Sequence, residues 1–293
     1  MFIGIDIGTS EVKVLLLAPD HRVLGSAGTA LTVQRPHPGH SEQNPQDWWT
    51  ATLSALAQLR VAHPTEFAAV QAIGLSGQMH GAVLLDAQDR ILRPAILWND
   101  TRCATECTEM MAELPSLPDL GGSLAMPGFT APKLRWVAQH EPEIFKQVAK
   151  VLLPKDYVRL MLTGEYVSDM SDASGTLWLD VQKRAWSDEL LALTGLTQAH
   201  MPRLVEGSAP GGALKADVAQ ALGLNAGIVV AGGAGDNASS AVGMGAVQAG
   251  QGFLSLGTSG VLFVVTPSYQ PNAASATHAF CHAVPGQLSL IHI

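Results

Sequence analysis

Three cysteines in 293 residues, Cys103, Cys107 and Cys281, are too few and odd in number for a disulfide framework, which suits a reducing compartment. Neither the Cys103-x₃-Cys107 pair nor the His278 to His282 segment has zinc-ligand spacing, so small buried thiols are preferred to a metal site. Cationic side chains are also scarce. Seventeen Lys plus Arg against 25 Asp plus Glu give a formal net charge of −8, and no basic block offsets it, which excludes a phosphate-neutralising nucleic-acid surface. No apolar run reaches the ~18 residues that span a bilayer. Met1-Phe2-Ile3-Gly4-Ile5-Asp6 has neither a basic n-region nor a cleavage site, so the chain is expected in the cytoplasm, away from membranes. With 47% hydrophobic and only 14% charged residues, disorder and coiled coil are excluded as well. What remains is a soluble small-molecule protein of about two domains.

Familiar nucleotide and nucleophile motifs are missing too. There is no G-x-x-x-x-G-K-[ST], no G-x-G-x-x-G after a strand and no G-x-S-x-G, so any phosphate binding is of another kind.

Strands and helices alternate along the chain, which predicts an α/β fold. Phe2 to Ile5 and Val12 to Leu17 read as strands around the turn Asp6-Ile7-Gly8-Thr9-Ser10, and His21 to Val33 as a third strand. Asn44 followed by Pro45 starts a helix bearing Trp48, Trp49, Leu53, Leu56 and Leu59. Ala69 to Leu75 is a buried strand, and Ala82 to Leu92 a hairpin turning at Asp86 to Asp89. Val148 to Leu153 is a further strand. Helices over Lys155 to Leu162, Ser187 to Leu193 and Leu214 to Leu222 close at Gly164, Gly195 and Gly223. Gly227 to Ala231 then runs into Gly232-Gly233-Ala234-Gly235-Asp236-Asn237 and a small-residue helix: strand, glycine turn, helix, a ligand-site geometry.

One repeat spans most of the chain. Residues 3–12 can be laid on residues 252–261, each reading strand, Gly-Thr-Ser, strand, which suggests two duplicated domains opening on the same hairpin. Gly8, Thr9 and Ser10, and likewise Gly257, Thr258 and Ser259, offer close backbone approach and hydroxyls to a phosphate, or else form plain hairpin turns. Asp6 sits in an apolar strand, where Mg²⁺ or its water shell would partner the carboxylate. Lys13 either meets phosphate or is a solvated strand lysine. Asp236 is either an acid–base group at a helix start or a cap, with Asn237 beside it. Gln78 and His80 follow a buried strand, where loop side chains face ligands in open α/β sheets; a structural histidine is the alternative.

Taken together, eight ordered segments resemble the FGGY carbohydrate kinases of the sugar kinase, actin and Hsp70 superfamily. They are Asp6 to Ser10, Ser41 to Trp49, Gly77 to Gly81, Leu97 to Arg102, Met126 to Trp136, Leu153 to Tyr157, Gly232 to Asn237 and Leu256 to Gly260. The Gly77-Gln78-Met79-His80-Gly81 loop is most similar to the branch acting on D-xylulose. The resemblance implies a duplicated actin-like (ribonuclease H-like) fold with a mixed sheet flanked by helices. Residues 1–245 would form a sugar-binding and catalytic domain, and residues 246–293 the start of an incomplete nucleotide domain. It further implies transfer of the γ-phosphoryl of MgATP to the 5-hydroxyl of D-xylulose, with ATP and Mg²⁺ as cofactors. Asp236 would be general base, Gln78, Met79, His80 and Asn237 would line the sugar pocket, and Asp6 would hold Mg²⁺ through water. Gly8, Thr9, Ser10, Lys13, Gly257, Thr258 and Ser259 would contact phosphates. Alternatives are an FGGY kinase for ribulose, glycerol or gluconate, an inactive sugar-binding fragment, or an actin-like or chaperone-like ATPase.

Two departures from the family pattern stand out. Ala234 replaces a glycine, which strains the turn if that position needs a positive φ. Leu290-Ile291-His292-Ile293 no longer resembles the family, so the chain is read as truncated or frameshifted, with a sheet edge available for aggregation or homodimer formation.

Overall fold

The computed structural model describes residues 1–256 and 260–292. In chain order the elements that matter here are β1 (Phe2–Ile7), β2 (Glu11–Leu17), β3 (Val23–Ala30), α1 (Pro45–Ala62), β4 (Ala72–Gly77), α2 (Thr130–His140), α3 (Pro154–Thr163) and α4 (Met170–Ser174). They are followed by β5 (Pro210–Ala213), β6 (Val229–Ala231), β7 (Ala234–Gly235) and α5 (Asp236–Gly243).

The principal sheet runs β5-β6-β4-β1-β2-β3, with β7 pairing β4 beyond β6. It is mixed: β1, β6 and β7 lie parallel to β4, while β1–β2, β2–β3 and β5–β6 are antiparallel. The α/β expectation of a mixed sheet flanked by helices is met. Two-residue alternation decides which face is core. Ile3, Ile5 and Ile7 of β1 and Val12, Val14 and Leu16 of β2 are buried with Trp48, Leu56 and Leu59 of α1, which leaves Asp6 on the open face. α1 starts where expected: the Asn44 carboxamide oxygen accepts from Gln46 N at 3.1 Å, a cap of about 1 kcal/mol, and Pro45 takes the first helical position.

A second, antiparallel sheet comprises β8 (Gly252–Leu256), β9 (Gly260–Thr266), β10 (His278–Cys281) and β11 (Leu288–His292), in the order β8-β9-β11-β10. It packs on the same core as Met79: Phe263, Phe280 and Ile291 are buried with Met79, Phe129, Leu134 and Trp178. The chain's end thus enters the core at Ile291, while Leu254 and Leu256 on the edge strand β8 are exposed.

Some local expectations are corrected. The third strand is shorter than His21 to Val33, because His21 adopts φ 66° in the preceding turn. The Ala82 to Leu92 hairpin does turn at Asp86 to Asp89, with Asp86 N donating to Arg90 O and Leu92 N to Leu84 O at 3.0 Å each, but Val83–Leu85 also pairs with Lys150–Leu152, a partner the sequence did not show. The helix expected from Leu214 begins at Ala216, since Lys215 before it is extended (ψ 148°) and Leu214 N pairs with Ile228 O at 2.8 Å. Gly164, Gly195 and Gly223 do take the left-handed conformation. Among the described residues, no helix is long and apolar enough to cross a membrane.

Candidate active site

The register of the principal sheet assembles the site. Asp6 of β1 lies beside Ser76 of β4, Ser76 beside Ala234 of β7, and Lys13 of β2 opposite Asp6. The strand ends therefore deliver Asp6, the loop after Gly77 and the start of α5 to one edge, the position where open α/β sheets receive ligands.

Asp236 opens α5 with Gly235 as its cap, so it is not the capping residue itself. Its Oδ1 accepts from Asn237 N at 2.7 Å. Burial pushes the Asp236 carboxyl up to about 6, the negative charge of Asp6 adds to this, and the Asn237 N–H opposes it. The Asp6 carboxyl reaches solvent, yet the protein crowding it raises its pKa; Ser76 and Lys13 pull the other way. These two acids face one another electrostatically. Lys13 is itself exposed and 3.9 Å from Glu11 Oε2.

The turn before Asp236 answers the question raised by Ala234. Positive φ falls on Gly233 (74°), one residue earlier, and Ala234 is a buried strand residue. A Cβ at Gly232 would lie 2.3 Å from Glu206 O, and one at Gly233 2.2 Å from Leu75 O. Those two positions require glycine; position 234 accommodates a methyl group.

The residues of the Gly77 to Gly81 loop part company. Met79 is buried against the base turn, so closely that a Cβ on Gly235 would be 2.8 Å from Met79 Cγ. His80 adopts φ 70°, an unusual conformation for a side-chain-bearing residue, and its carbonyl accepts from Thr130 Oγ1 at 3.1 Å and Lys133 Nζ at 2.9 Å. Its Nδ1 lies 2.7 Å from Gly175 O; a carbonyl only accepts, so Nδ1 carries the proton and Nε2 is left as an acceptor. Burial, reinforced by the charge of Lys133, lowers the His80 pKa to about 3 and keeps the ring neutral. Lys133 is itself pushed down to about 7 by burial.

Gln78 turns the other way. Its Oε1 accepts from Thr9 Oγ1 at 3.0 Å, and its Nε2 donates to Gly8 O at 3.3 Å and Gln43 Oε1 at 3.2 Å. Gln43 in turn donates to Thr9 O at 2.7 Å, and Trp98 donates to Thr9 Oγ1 at 2.9 Å. The structure thus puts Gln78 behind the Gly8-Thr9-Ser10 turn, tying it to the sugar loop. In that turn the Thr9 hydroxyl is engaged by protein, Ser10 is exposed, and a Cβ on Gly8 would meet Glu11 O at 2.8 Å. Gly257, Thr258 and Ser259 lie outside the described residues.

Sequence reasoning assigned no role to Ser76, Trp98, Lys133, Gly175 or Ser171. Their signal is weak: each acts through a partner tens of residues away. Only Lys133 carried a hint, as a charge inside the apolar start of α2, where it is fully buried.

Known proteins resemble this chain in sequence and in fold. The FGGY family of carbohydrate kinases, N-terminal domain, matches residues 1–243. A xylulose kinase of Escherichia coli K12 is 56% identical over 293 residues, all of this chain and 60% of its own length. Two solved structures are also similar. The Brucella ovis protein described as a xyloylose kinase is 57% identical with a TM-score of 0.97, over 99% of this chain and 60% of its own. The xylulose kinase of Rhodospirillum rubrum is 30% identical with a TM-score of 0.94, over 99% and 59%. The chain therefore spans about 60% of the length of the relatives it matches.

Proposed function

The chain belongs to the FGGY family of carbohydrate kinases, and from that premise we propose that it supplies the sugar site and general base of an enzyme that transfers the γ-phosphoryl of ATP to the 5-hydroxyl of D-xylulose. The observation that carries this reading is the contact of the base turn with the sugar loop: Gly235, next to Asp236, packs on Met79, and Met79 adjoins a neutral His80. Residues 1–245 act as the sugar-binding domain, and residues 246–293 belong to the nucleotide domain.

His80 Nε2 accepts a hydrogen bond from a sugar hydroxyl, and Asn237 can both donate and accept. The Asp236 carboxylate takes the proton of the 5-hydroxyl as its oxygen bonds to the γ-phosphorus and the bond to the β–γ bridging oxygen breaks, giving xylulose 5-phosphate and ADP. A base with a pKa of about 6 suffices, since most of the rate in phosphoryl transfer comes from positioning and charge stabilisation. Asp6, whose carboxylate reaches solvent on the open face of β1, would hold Mg²⁺ through water. Among the described residues no three His, Cys, Asp or Glu side chains converge to hold a metal, so most ligands would be water and phosphate oxygens, as Mg²⁺ prefers. When bound, the ion would offset phosphate charge.

Calorimetric titration of the 293-residue chain with D-xylulose, against glycerol and D-ribulose, tests the assignment. Selective D-xylulose binding supports it; preference for another polyol changes the substrate; no binding by a folded chain refutes the sugar site.

A further inference from the structure

Behind both halves of the site lies a buried ionic cluster that the proposed chemistry does not use. Lys155 Nζ is 2.7 Å from Asp156 Oδ1, 2.7 Å from Asp169 Oδ1 and 3.1 Å from Asp172 Oδ2, all fully buried. Arg159 adds a second cation, donating to Ala231 O and Gly232 O in the glycine turn. Burial raises the pKa of the Asp172 carboxyl well above its ordinary value, while Lys155 beside it pulls the other way. Removing one member of such a cluster strands a charge, so its geometry is stiff.

The cluster is linked to the site through α4. The other oxygen of Asp169, Oδ2, accepts from Ser171 N at 2.8 Å, Ser171 Oγ at 2.5 Å and Asp172 N at 3.2 Å. With its proton given to Asp169, Ser171 Oγ accepts from Gly235 N at 3.2 Å, one residue before Asp236. At the other end of α4, Gly175 O accepts a hydrogen bond from His80 Nδ1, and a Cβ on Gly175 would be 2.6 Å from that ring. Ser174 Oγ also accepts from Cys281 N at 3.0 Å, fastening the second sheet to the same five-residue helix.

Resting on the reading of the site given above, we propose that the segment from Asp169 to Gly175 is a clamp that sets the base turn and the sugar loop in one frame, and that Ser171 is its positioning residue. Lys155 fixes Asp169, Asp169 orients the Ser171 hydroxyl, and that hydroxyl holds Gly235.

Ser171→Ala in the 293-residue chain tests this without unbalancing the buried charge. The expected results are at least tenfold faster hydrogen exchange at Gly235 N–H and about tenfold weaker D-xylulose binding, the scale of one lost hydrogen bond. The Asp236 carboxyl, followed by NMR in both proteins, should titrate lower than in the parent as water reaches it and relieves its burial. Ser171→Thr, which keeps the hydroxyl, should restore all three. A fall in Tm with affinity and Asp236 titration unchanged would reduce Ser171 to a packing role and overturn the proposal. If the parent chain itself fails to bind D-xylulose, the substrate reading falls, while Gly235 exchange and Asp236 titration still decide for or against the clamp.

Discussion

Asp236 carries an energetic cost that its burial explains. Its folded pKa of about 6 lies above the ordinary 3.8, so folding favours the protonated form. That stabilisation is complete below the unfolded value and is lost as the pH rises through about 6. Asp236→Asn, which cannot ionise, should therefore exceed the parent in stability by about 3 kcal/mol above pH 7 and match it near pH 3. Thermal unfolding of the two proteins across this range would show it, and a constant difference at every pH would disprove it. The same residue was legible in the sequence because a glycine turn between a strand and a helix is a local pattern. That Asp236 is not the cap was not legible, since it depends on Gly235 taking that position in the folded turn. Gln78 and His80 show the same limit: adjacent but for Met79, they face opposite ways because Gln43 draws one and Gly175 the other.

At the scale of elements, helix ends were the most legible feature. Asn44-Pro45 and the closing glycines act on their own few residues, so position in the chain suffices to read them. Pairing over distance was not legible, as Val83–Leu85 shows by joining Lys150–Leu152. The β1–β2 turn depends on such a distant partner. Gln43 donates to Thr9 O at 2.7 Å and accepts from Trp48 Nε1 at 3.0 Å and from Gln78 Nε2 at 3.2 Å, which joins α1, the turn and the sugar loop. Gln43→Ala leaves buried polar groups without partners and should cost about 1–3 kcal/mol in denaturant unfolding. If the turn is held as described, hydrogen exchange at residues 8–10 should also quicken, whereas unchanged exchange would mean that the strands alone fix it.

The whole molecule is held together across its two sheets. The sequence repeat pointed to two domains, and nothing in it revealed that their apolar faces merge, because residues 278–291 meet residues 79–134 only in the folded chain. Phe280 sits edge-on to Phe129 at 6.1 Å and to His80 at 6.5 Å, so the second sheet forms one wall behind the sugar loop. Tyr269 O–H donates to Asp119 O at 2.7 Å, Ala279 N to Gly122 O at 2.7 Å, and Cys281 N to Ser174 Oγ, three polar ties around that apolar contact. Unfolding of the second sheet alone would expose Phe263, Phe280 and Ile291 together with their partners in the first part of the chain. Two-state unfolding is therefore the expected behaviour, and Phe280→Ala should lower it by about 3–5 kcal/mol while keeping one transition. Tryptophan fluorescence, which reports Trp48 and Trp178 in the first part, and hydrogen exchange in residues 278–292 should then shift to the same lower midpoint. Separate midpoints would show instead that residues 252–292 fold as a unit of their own, and the wall behind His80 would have to be treated as movable.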